Sequence, residues 1–268
     1  MCELLAMSAR VPTSLSSSLA ELARHGGETG PHRDGWGVGY MRDGDAFLVR
    51  EPDAAAGSEL LAFLQQRDSP SALVIAHIRR ATQGARLLRN TQPFERELGG
   101  HVHLFAHNGM LPGIERSRLR ARANRPIGDT DSEHAFCALL DRLRPLWMRG
   151  RPGLSDRFQA VVSFAADLRT FGPANFLYSD GELIFAHGHR RRVDDGEIKP
   201  PGLHVLCRQC VERTPVTQQV ALVASVPLTA EAWRPLAEGE VIVLHEGRVI
   251  LSSHRSLEAR SQPVEHAG

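Results

Sequence analysis

The sequence predicts an α+β fold in which two antiparallel sheets stack face to face and helices cover both outer faces, a four-layer α-β-β-α sandwich. Two observations predict it. Strand-like segments occur in two groups, and a block with the apolar spacing of two helices separates the groups. This order suits stacked antiparallel sheets with helices outside them. The 268 residues, 42% of them hydrophobic, can form one large domain, which we expect to span residues 1–253.

Nine segments have the apolar pattern of strands. In chain order they are Cys2–Ala9, Gly35–Met41, Ala46–Arg50, Leu73–Ile78, Val102–His107, Ala174–Tyr178, Leu183–His187, Val220–Ser225 and Val241–His245. Five precede the central helical block and four follow it.

Four helices are predicted from apolar residues spaced at helical intervals. The positions that define them are Leu15, Leu19 and Leu22; Leu60, Leu61 and Leu64; His134–Leu146; and Phe158–Leu168. Thr130 followed by Glu133 has the spacing of a capping box, in which each side chain bonds the other's backbone N–H. That pair marks the start of the third helix.

Charge and cysteine content restrict the classes of function. Lys and Arg total 32 and Asp and Glu total 31, a net charge of +1, so no overall field favours a nucleic acid or a membrane as partner. The four cysteines lack the spacing of a disulfide framework, and no apolar segment approaches the ~20 residues of a membrane span. We therefore expect a cytoplasmic protein, with residues 254–268 as a loose polar tail.

Cys2 directly follows Met1 and becomes the N-terminal residue if an aminopeptidase removes Met1, as happens before small side chains. That residue would carry a thiol and a free α-amine, which titrates near ~8 and can serve as the base of its own nucleophile. A cysteine that starts a buried strand behind a retained Met1 would occupy the same position. Position alone does not decide between the two.

Four short segments follow Cys2 and give it a context. They are Arg79–Gly84, Asn90–Phe94, Phe105–Gly109 and Gly128–Glu133. In this order behind an N-terminal cysteine, they resemble the glutaminase domain of class II glutamine amidotransferases, which are N-terminal nucleophile hydrolases. Asp34–Gly39 resembles the stand-alone branch of that family. The resemblance implies the four-layer fold and hydrolysis of a γ-glutamyl amide without a metal or organic cofactor.

Asn108 and Gly109 suit the stabilisation of an oxyanion. An asparagine amide and a glycine backbone N–H at a strand end can converge on one oxygen, and glycine lets a substrate approach the main chain closely. The matching residues of the family have this role. Asn-Gly is also the strongest short signal for a hairpin turn.

Recognition of the glutamyl group requires one cation and one anion. Arg79 offers a bidentate fork for the α-carboxylate, and Asp131 offers a negative charge for the α-ammonium. The resemblance assigns these roles to both residues and adds Thr82 and the main chain at Gln83 to the carboxylate site. Alternatively, Arg79 is a surface base at a strand end and Asp131 an acid of the first helical turn.

Two positions depart from the synthase-type pattern, because Glu3 and Arg80 stand where a glycine and an aromatic residue are usual. Arg80 places charge beside the pocket, which leaves open an acyl acceptor, or a group on the γ-carbonyl, other than that of simple glutamine. We place Arg80 at the rim of the site. Asp34 and Trp36 can line the entrance, although a glycine-rich strand connection would use them equally well.

Cys207 and Cys210 have His187, His189 and His204 nearby in sequence, which could be half of a zinc site. Structural zinc sites usually need two such pairs, so we expect no metal.

The expected substrate is a small γ-glutamyl compound. Nothing after Glu133 resembles a synthase domain, so the ammonia either reaches a separate synthase subunit or is simply released. A binding module that retains the glutamate pocket without turnover is a third class of function.

Overall fold

The computed structural model describes residues 1–67, 69–193, 196–211 and 217–254. Over these ranges the strands are β1 Glu3–Thr13, β2 Trp36–Arg42, β3 Asp45–Glu51, β4 Ser71–Ile78, β5 Phe94–Leu98, β6 His101–Gly109, β7 Ala174–Ser179, β8 Ile184–His187, β9 Arg191–Arg192, β10 Ile198–Lys199, β11 His204–Val211, β12 Thr217–Ala224, β13 Arg234–Pro235, β14 Val241–His245 and β15 Arg248–Ser252. The α-helices are α1 Ser16–His25, α2 Glu59–Arg67, α3 Asp131–Trp147 and α4 Leu154–Leu168.

The strands form two large sheets. One contains seven strands in the spatial order β13-β11-β12-β1-β4-β2-β3, and the other contains six in the order β15-β14-β8-β7-β6-β5. The neighbours of β1 and of β6 are antiparallel to them. β1 therefore lies at the centre of the larger sheet, with both of its backbone edges paired.

Three separate apolar cores define the layers. The core between the sheets contains Leu4 and Ala6 from β1 and Leu104 and Ala106 from β6. A second core joins the outer face of the seven-stranded sheet to α1 and α2. A third joins the outer face of the six-stranded sheet to α3 and α4. This arrangement confirms the predicted four-layer sandwich.

The predicted cap of α3 is present in part. The hydroxyl of Thr130 accepts a hydrogen bond from Glu133 N at 3.3 Å. The Glu133 carboxylate accepts instead from the backbone N–H groups of Ile127 and Gly128, and it pairs with Arg96. The helix thus begins where the capping pattern indicates, but Glu133 binds the loop before the helix and not the backbone of Thr130.

Several strands carry no clear sequence signal. β5 is short, and only its two end residues are buried, because the residues between them are charged. β15 follows β14 through a two-residue turn in which Glu246 and Gly247 have φ of 46° and 78°. β14 coincides with the last predicted strand, and β15 falls beyond it. The pattern on β12 is also offset, because Ser225 lies just outside the strand.

In the part of the chain that the structure describes, no helix is long and apolar enough to cross a membrane. Apart from His254, the predicted tail of residues 254–268 lies outside the described ranges.

Candidate active site

The alternation of side chains along the strands brings Cys2 and Asn108 to the same end of the sandwich. Leu4 and Ala6 on β1 point into the core between the sheets, so Cys2, two residues earlier, extends that face. On β6, Leu104 and Ala106 point into the same core, and Asn108 is two residues further on. The thiol and the amide therefore face the space between the sheets from opposite layers.

The register of β1 against β4 adds Arg79 to this group. Glu3 pairs with Ile78 and Leu4 pairs with His77. Extending that antiparallel register by one residue sets Cys2 opposite Arg79, and directly opposite residues share a face of the sheet. In agreement with this placement, Arg79 and Asp131 both act electrostatically on the Cys2 thiol.

Cys2 is half-buried, and its sulfur contacts the main chain of Arg80. Its Sγ lies 3.4 Å from Arg80 O, to which it donates, and 3.3 Å from Arg80 N, from which it accepts. Burial raises the pKa of the thiol, and the Arg80 N–H, the terminal ammonium and Arg79 offset only part of that rise. The thiol is therefore protonated at neutral pH and needs a base to become a nucleophile.

Ser225 connects the two sheets beside Asn108. Its backbone N donates to Leu4 O at 3.0 Å, and its hydroxyl accepts from Leu4 N at 3.0 Å. Asn108 Nδ2 donates to the same hydroxyl at 3.4 Å. Since Asn108 is fully buried, this contact locates its amide next to the start of β1.

Gly109 continues β6 and does not form a hairpin turn, so the turn interpretation of the Asn-Gly pair is wrong. Gly109 pairs with Ala174 on β7. A Cβ at this position would lie 1.9 Å from Pro173 O, which no side chain can tolerate. Glycine is therefore required by the close approach of the neighbouring strand.

The Arg79 guanidinium is buried and faces backbone carbonyls. Its Nη2 donates to Gln83 O and Gly84 O, both at 2.9 Å, and its Nη1 donates to Ala85 O at 3.0 Å. A longer contact of 3.5 Å joins Nη1 to Asp34 O. The fork must exchange some of these contacts to bind a carboxylate, and its role in substrate binding stays a prediction.

Asp131 is the first residue of α3 and is buried. Its Oδ2 accepts from Leu111 N at 2.7 Å and its Oδ1 from Ser132 N at 2.8 Å. The Ser132 hydroxyl lies 2.9 Å from Nδ1 of His107, whose pKa burial lowers to about 4. The Ser132 hydroxyl also donates to Asp131 Oδ1 at 3.4 Å, so a neutral imidazole and a serine support the carboxylate from behind, while Oδ2 retains a lone pair.

Thr82 and Gln83 lie on an exposed loop between β4 and β5. The Gln83 side chain donates to Asp129 O at 3.1 Å, which ties this loop to the approach to α3. The loop that contacts Arg79 is therefore also linked to the segment that carries Asp131.

The three predicted rim residues occupy different environments. The Arg80 side chain belongs to an exposed residue whose backbone N–H contacts the Cys2 sulfur. Asp34 is half-buried, and its Oδ2 accepts from Ala81 N at 2.8 Å. Trp36 was misplaced by the entrance prediction: it is 1% exposed in the core under α1 and α2, and its Nε1 donates to Glu51 at 2.9 Å. The cause is strand alternation, which puts Trp36 on the outer face of β2.

A buried polar group near the N-terminus had no sequence signal. Glu3 Oε2 lies 2.8 Å from His25 Nδ1, and His32 Nε2 lies 2.7 Å from Met1 O. Burial alone would raise the pKa of Glu3, but the His25 hydrogen bond and the neighbouring His32 and Arg191 lower it overall. These residues, together with Met1 and Arg80, line a cleft of about 680 Å³.

Residues 1–267 match the family of class II glutamine amidotransferases. The chain belongs to this family. Two bacterial relatives of this class II amidotransferase carry the name "Putative glutamine amidotransferase". YafJ of Escherichia coli (strain K12) is 37% identical over 246 residues, which cover 90% of this chain and 96% of YafJ. The protein of Haemophilus influenzae is 31% identical over 265 residues, which cover 93% of this chain and 86% of its own.

Solved structures agree with the fold. A predicted glutamine amidotransferase from Pseudomonas aeruginosa PA01 superposes with a TM-score of 0.68 at 29% identity, over 93% of this chain and 100% of that one. The glutamine phosphoribosylpyrophosphate amidotransferase of Bacillus subtilis gives a TM-score of 0.59 at 15% identity, over 91% of this chain and 47% of that one. The N-terminal nucleophile hydrolase fold implied by the sequence is thereby confirmed.

The cysteine pair of this class II amidotransferase cannot hold one metal ion between its thiols. Cys207 and Cys210 lie three residues apart on β11, so they point to opposite faces of the sheet. Cys210 packs with the core under α1, whereas Cys207 is exposed. Among the described residues, no group of three or more His, Cys, Asp or Glu side chains has the geometry of a metal site.

Proposed function

We propose that this protein is an amidohydrolase that cleaves the γ-amide of glutamine or of a γ-glutamyl compound through a thioester at Cys2. The observation that carries the proposal is the convergence of three features at one end of the sandwich. Strand alternation brings Cys2 and Asn108, from the two sheets, to the same end of the space between them, and Arg79 and Asp131 lie within electrostatic range of the thiol.

The proposed base is the α-amine that removal of Met1 would free. The thiol is protonated at neutral pH because burial raises its pKa, so it needs a proton acceptor nearby. An α-amine on the same residue meets this need without a histidine partner. In the present chain Met1 blocks that amine, and its peptide carbonyl faces His32.

The proposed reaction has two half-reactions. As Sγ of Cys2 attacks the amide carbon, its proton moves to the α-amine, and Asn108 with Gly109 stabilises the oxyanion. The C–N bond then breaks, the α-ammonium returns the proton to the departing nitrogen, and ammonia or an amine leaves. Water attacks the thioester and gives a proton to the α-amine. The C–S bond breaks, the sulfur is reprotonated, and glutamate is released.

The glutamyl group is proposed to bind between Arg79 and Asp131. Oδ2 of Asp131 accepts a single hydrogen bond, from Leu111 N, which leaves capacity for an α-ammonium. Arg79 can receive the α-carboxylate if it gives up part of its contact with the carbonyls of Gln83 and Gly84. Thr82 and the Gln83 main chain would then complete the carboxylate site, as the family resemblance implies.

The leaving group is proposed to carry a negative charge. Arg80 contacts the thiol through its main chain, and Arg191 and Arg192 act on the α-amine of Met1. All three line the cleft around Met1. A γ-glutamyl amide whose amine portion has its own carboxylate fits this rim better than glutamine does.

The test is a substrate screen with protein whose N-terminus is Cys2. Glutamine and a panel of γ-glutamyl amides would be incubated with it, and glutamate and ammonia or amine would be quantified. Glutamate release should vanish in Cys2→Ala and persist in Cys207→Ala, which removes an exposed thiol elsewhere. Turnover that survives in Cys2→Ala would exclude the thioester route.

Delivery of ammonia to a separate synthase subunit remains the rival proposal. It expects glutamine to be the preferred substrate and a synthase to co-purify in stoichiometric amount. A protein that binds glutamate but releases no ammonia would instead be a binding module.

A further inference from the structure

His32 is a buried histidine at the N-terminus for which the proposed reaction has no use. It lies on the loop between α1 and β2 and is 6% exposed. Both of its ring nitrogens contact backbone oxygens: Nδ1 lies 3.0 Å from His25 O, and Nε2 lies 2.7 Å from Met1 O. Two carbonyl contacts on one imidazole constrain its protonation.

A carbonyl oxygen only accepts hydrogen bonds, so each of these contacts requires an N–H on the ring. A neutral imidazole has one N–H, and only the imidazolium has two. Burial disfavours the imidazolium and lowers the pKa of His32, although Glu3 and both carbonyls act in the opposite direction. With Met1 in place, one of the two contacts is therefore poorly satisfied.

Removal of Met1 resolves this conflict. The His25 carbonyl stays, so Nδ1 keeps the proton and Nε2 becomes an acceptor. The Met1 carbonyl is replaced by the free α-amine of Cys2, since both belonged to the same peptide group. Given peptide bond lengths, Nε2 lies within about 5 Å of the Cys2 nitrogen. A small adjustment then forms an N–H to Nε2 hydrogen bond.

We propose that His32 is the positioning residue of the mature nucleophile, whose Nε2 accepts a hydrogen bond from the α-amine of Cys2. An amine that donates one N–H to His32 keeps its lone pair free to point at the thiol. Without that contact the amine can rotate about the N–Cα bond, and its lone pair then misses the thiol proton. This inference deepens the proposed function and rests on Cys2 as its nucleophile.

Other ionisable groups surround this contact. Glu3 on β1, His25 on α1 and His77 on β4 act on His32 or lie against it. Arg80, Arg191 and Arg192 act on the α-amine of Met1, one residue before the proposed contact. Glu3 is the competing acceptor, because its Oε1 lies 3.9 Å from His32 Nε2. The test must therefore separate His32 from Glu3.

The test compares His32→Leu, His32→Gln and Glu3→Gln, with His245→Leu as the matched control at the half-buried end of β14. All would be prepared with Cys2 exposed by a site-specific protease, and mass spectrometry would verify the N-terminus. This preparation removes any effect of His32 on the loss of Met1. Unfolding temperature would verify that each variant folds.

The expected result is a fall in kcat of about 10–100-fold in His32→Leu with KM nearly unchanged, because misplacement of the base affects turnover and not binding. His32→Gln, whose amide oxygen can accept the same hydrogen bond, should recover most of the activity. Wild-type kcat in correctly processed, folded His32→Leu would overturn the proposal.

A second readout does not depend on turnover. Alkylation of Cys2 by iodoacetamide would be followed against pH. An ammonium beside the sulfur stabilises the thiolate, and the hydrogen bond to Nε2 stabilises that ammonium, so its loss in His32→Leu should raise the midpoint by about half a unit to one unit. If Glu3→Gln alone moves the midpoint, the amine rests on Glu3 and the proposal is wrong.

The two readouts also separate this inference from the proposed function. If the wild-type protein releases no glutamate but the alkylation midpoint still moves in His32→Leu, the proposed function fails and the positioning role stands. If kcat falls in His32→Leu while the midpoint stays, His32 has only a structural role and the inference fails.

Discussion

The hydroxyl of Ser225 lies 3.4 Å from the side-chain nitrogen of Asn108, although the two residues are 117 positions apart in the chain. The same hydroxyl accepts a hydrogen bond from Leu4 N, two residues beyond the thiol. One serine thus joins the strand of the proposed nucleophile to the proposed oxyanion donor. This contact holds the amide beside the start of β1.

Ser225→Ala should lower kcat about tenfold and leave KM nearly unchanged, since it releases the amide without touching the glutamyl pocket. Asn108→Ala should lower kcat further, by roughly 10²–10³-fold. Steady-state kinetics on both variants checks this. Ser71→Ala is the matched control, because Ser71 Oγ also accepts from a backbone N–H, that of Leu73, at the far end of β4. Equal losses in Ser71→Ala and Ser225→Ala would indicate general destabilisation.

Retention of Met1 should abolish turnover and leave the fold intact. The α-amine is then part of a peptide bond, and the Met1 side chain occupies the cleft, where Arg192 N donates to its sulfur at 3.3 Å. Intact-mass measurement and glutamate release on processed and unprocessed protein check this expectation. Full activity from chains that retain Met1 would mean that the base is another group.

Substitution of Asp131 should affect glutamate binding, whereas substitution of Cys2 should affect only turnover. Cys2→Ala should bind glutamate with unchanged affinity, whereas Asp131→Asn, which keeps the shape of the side chain, should weaken binding by ~2–4 kcal/mol. Arg79→Ala should weaken binding similarly and also reduce stability, because carbonyls of the following loop lose their donor. Titration calorimetry and thermal unfolding measure these effects. Unchanged affinity in Asp131→Asn would place the pocket elsewhere.

Acid should destabilise the fold through buried histidines. Burial lowers the pKa of His103 to about 4, and its ring lies 2.7 Å from the Tyr178 hydroxyl. In the unfolded chain its pKa is ~6.5, so between these values only the unfolded state binds the proton. The contribution of His103 to the free energy of unfolding is therefore complete above pH 6.5. It is lost as the pH falls toward 4, at up to ~1.4 kcal/mol per pH unit.

Urea unfolding at pH 7 and pH 5 would measure that loss. His103→Gln should reduce the difference in the free energy of unfolding between the two pH values. His245→Gln, at a half-buried histidine on the end of β14, serves as its control. An identical pH dependence in wild-type protein and His103→Gln would show that His103 does not contribute.

The basic rim predicts a salt-dependent substrate preference. A carboxylate-bearing γ-glutamyl amide should exceed glutamine in kcat/KM at low ionic strength, and the advantage should shrink as salt screens the exposed Arg80. Arg80→Trp should reduce the advantage at low salt. If glutamine is the better substrate at every ionic strength, ammonia delivery to a partner becomes the leading account.

The fold and the placement of Cys2 and Asn108 could be predicted because they depend on local periodicity. The same periodicity predicts that Trp36 is buried. It is two residues from Val38 and four from Tyr40, and all three side chains point toward α1 and α2. Treating Trp36 as an entrance residue ignored that spacing. The reason for glycine at position 109 cannot be read from local periodicity, because it is the close approach of Pro173 beside the neighbouring strand.

Ser225 and His32 could not be found from the sequence. Each is a single polar residue without a local pattern, and its partner lies far away in the chain or in a different layer. Ser225 is 221 positions from Leu4, whose N–H it accepts. His32 acquires its significance from one carbonyl of Met1, which only the folded N-terminus brings near. Such contacts arise from packing and leave no periodic trace.

Because the side chains of β1 alternate, the chemistry proposed for Cys2 depends on counting residues as well as on their identity. Glu3 faces α1 through His25, and Leu4 faces the other sheet. One residue inserted between Cys2 and Leu4 would turn the thiol toward α1, away from Asn108, with every other side chain unaltered. The proposed activity therefore requires the two-residue spacing between Cys2 and Leu4 as well as the cysteine itself.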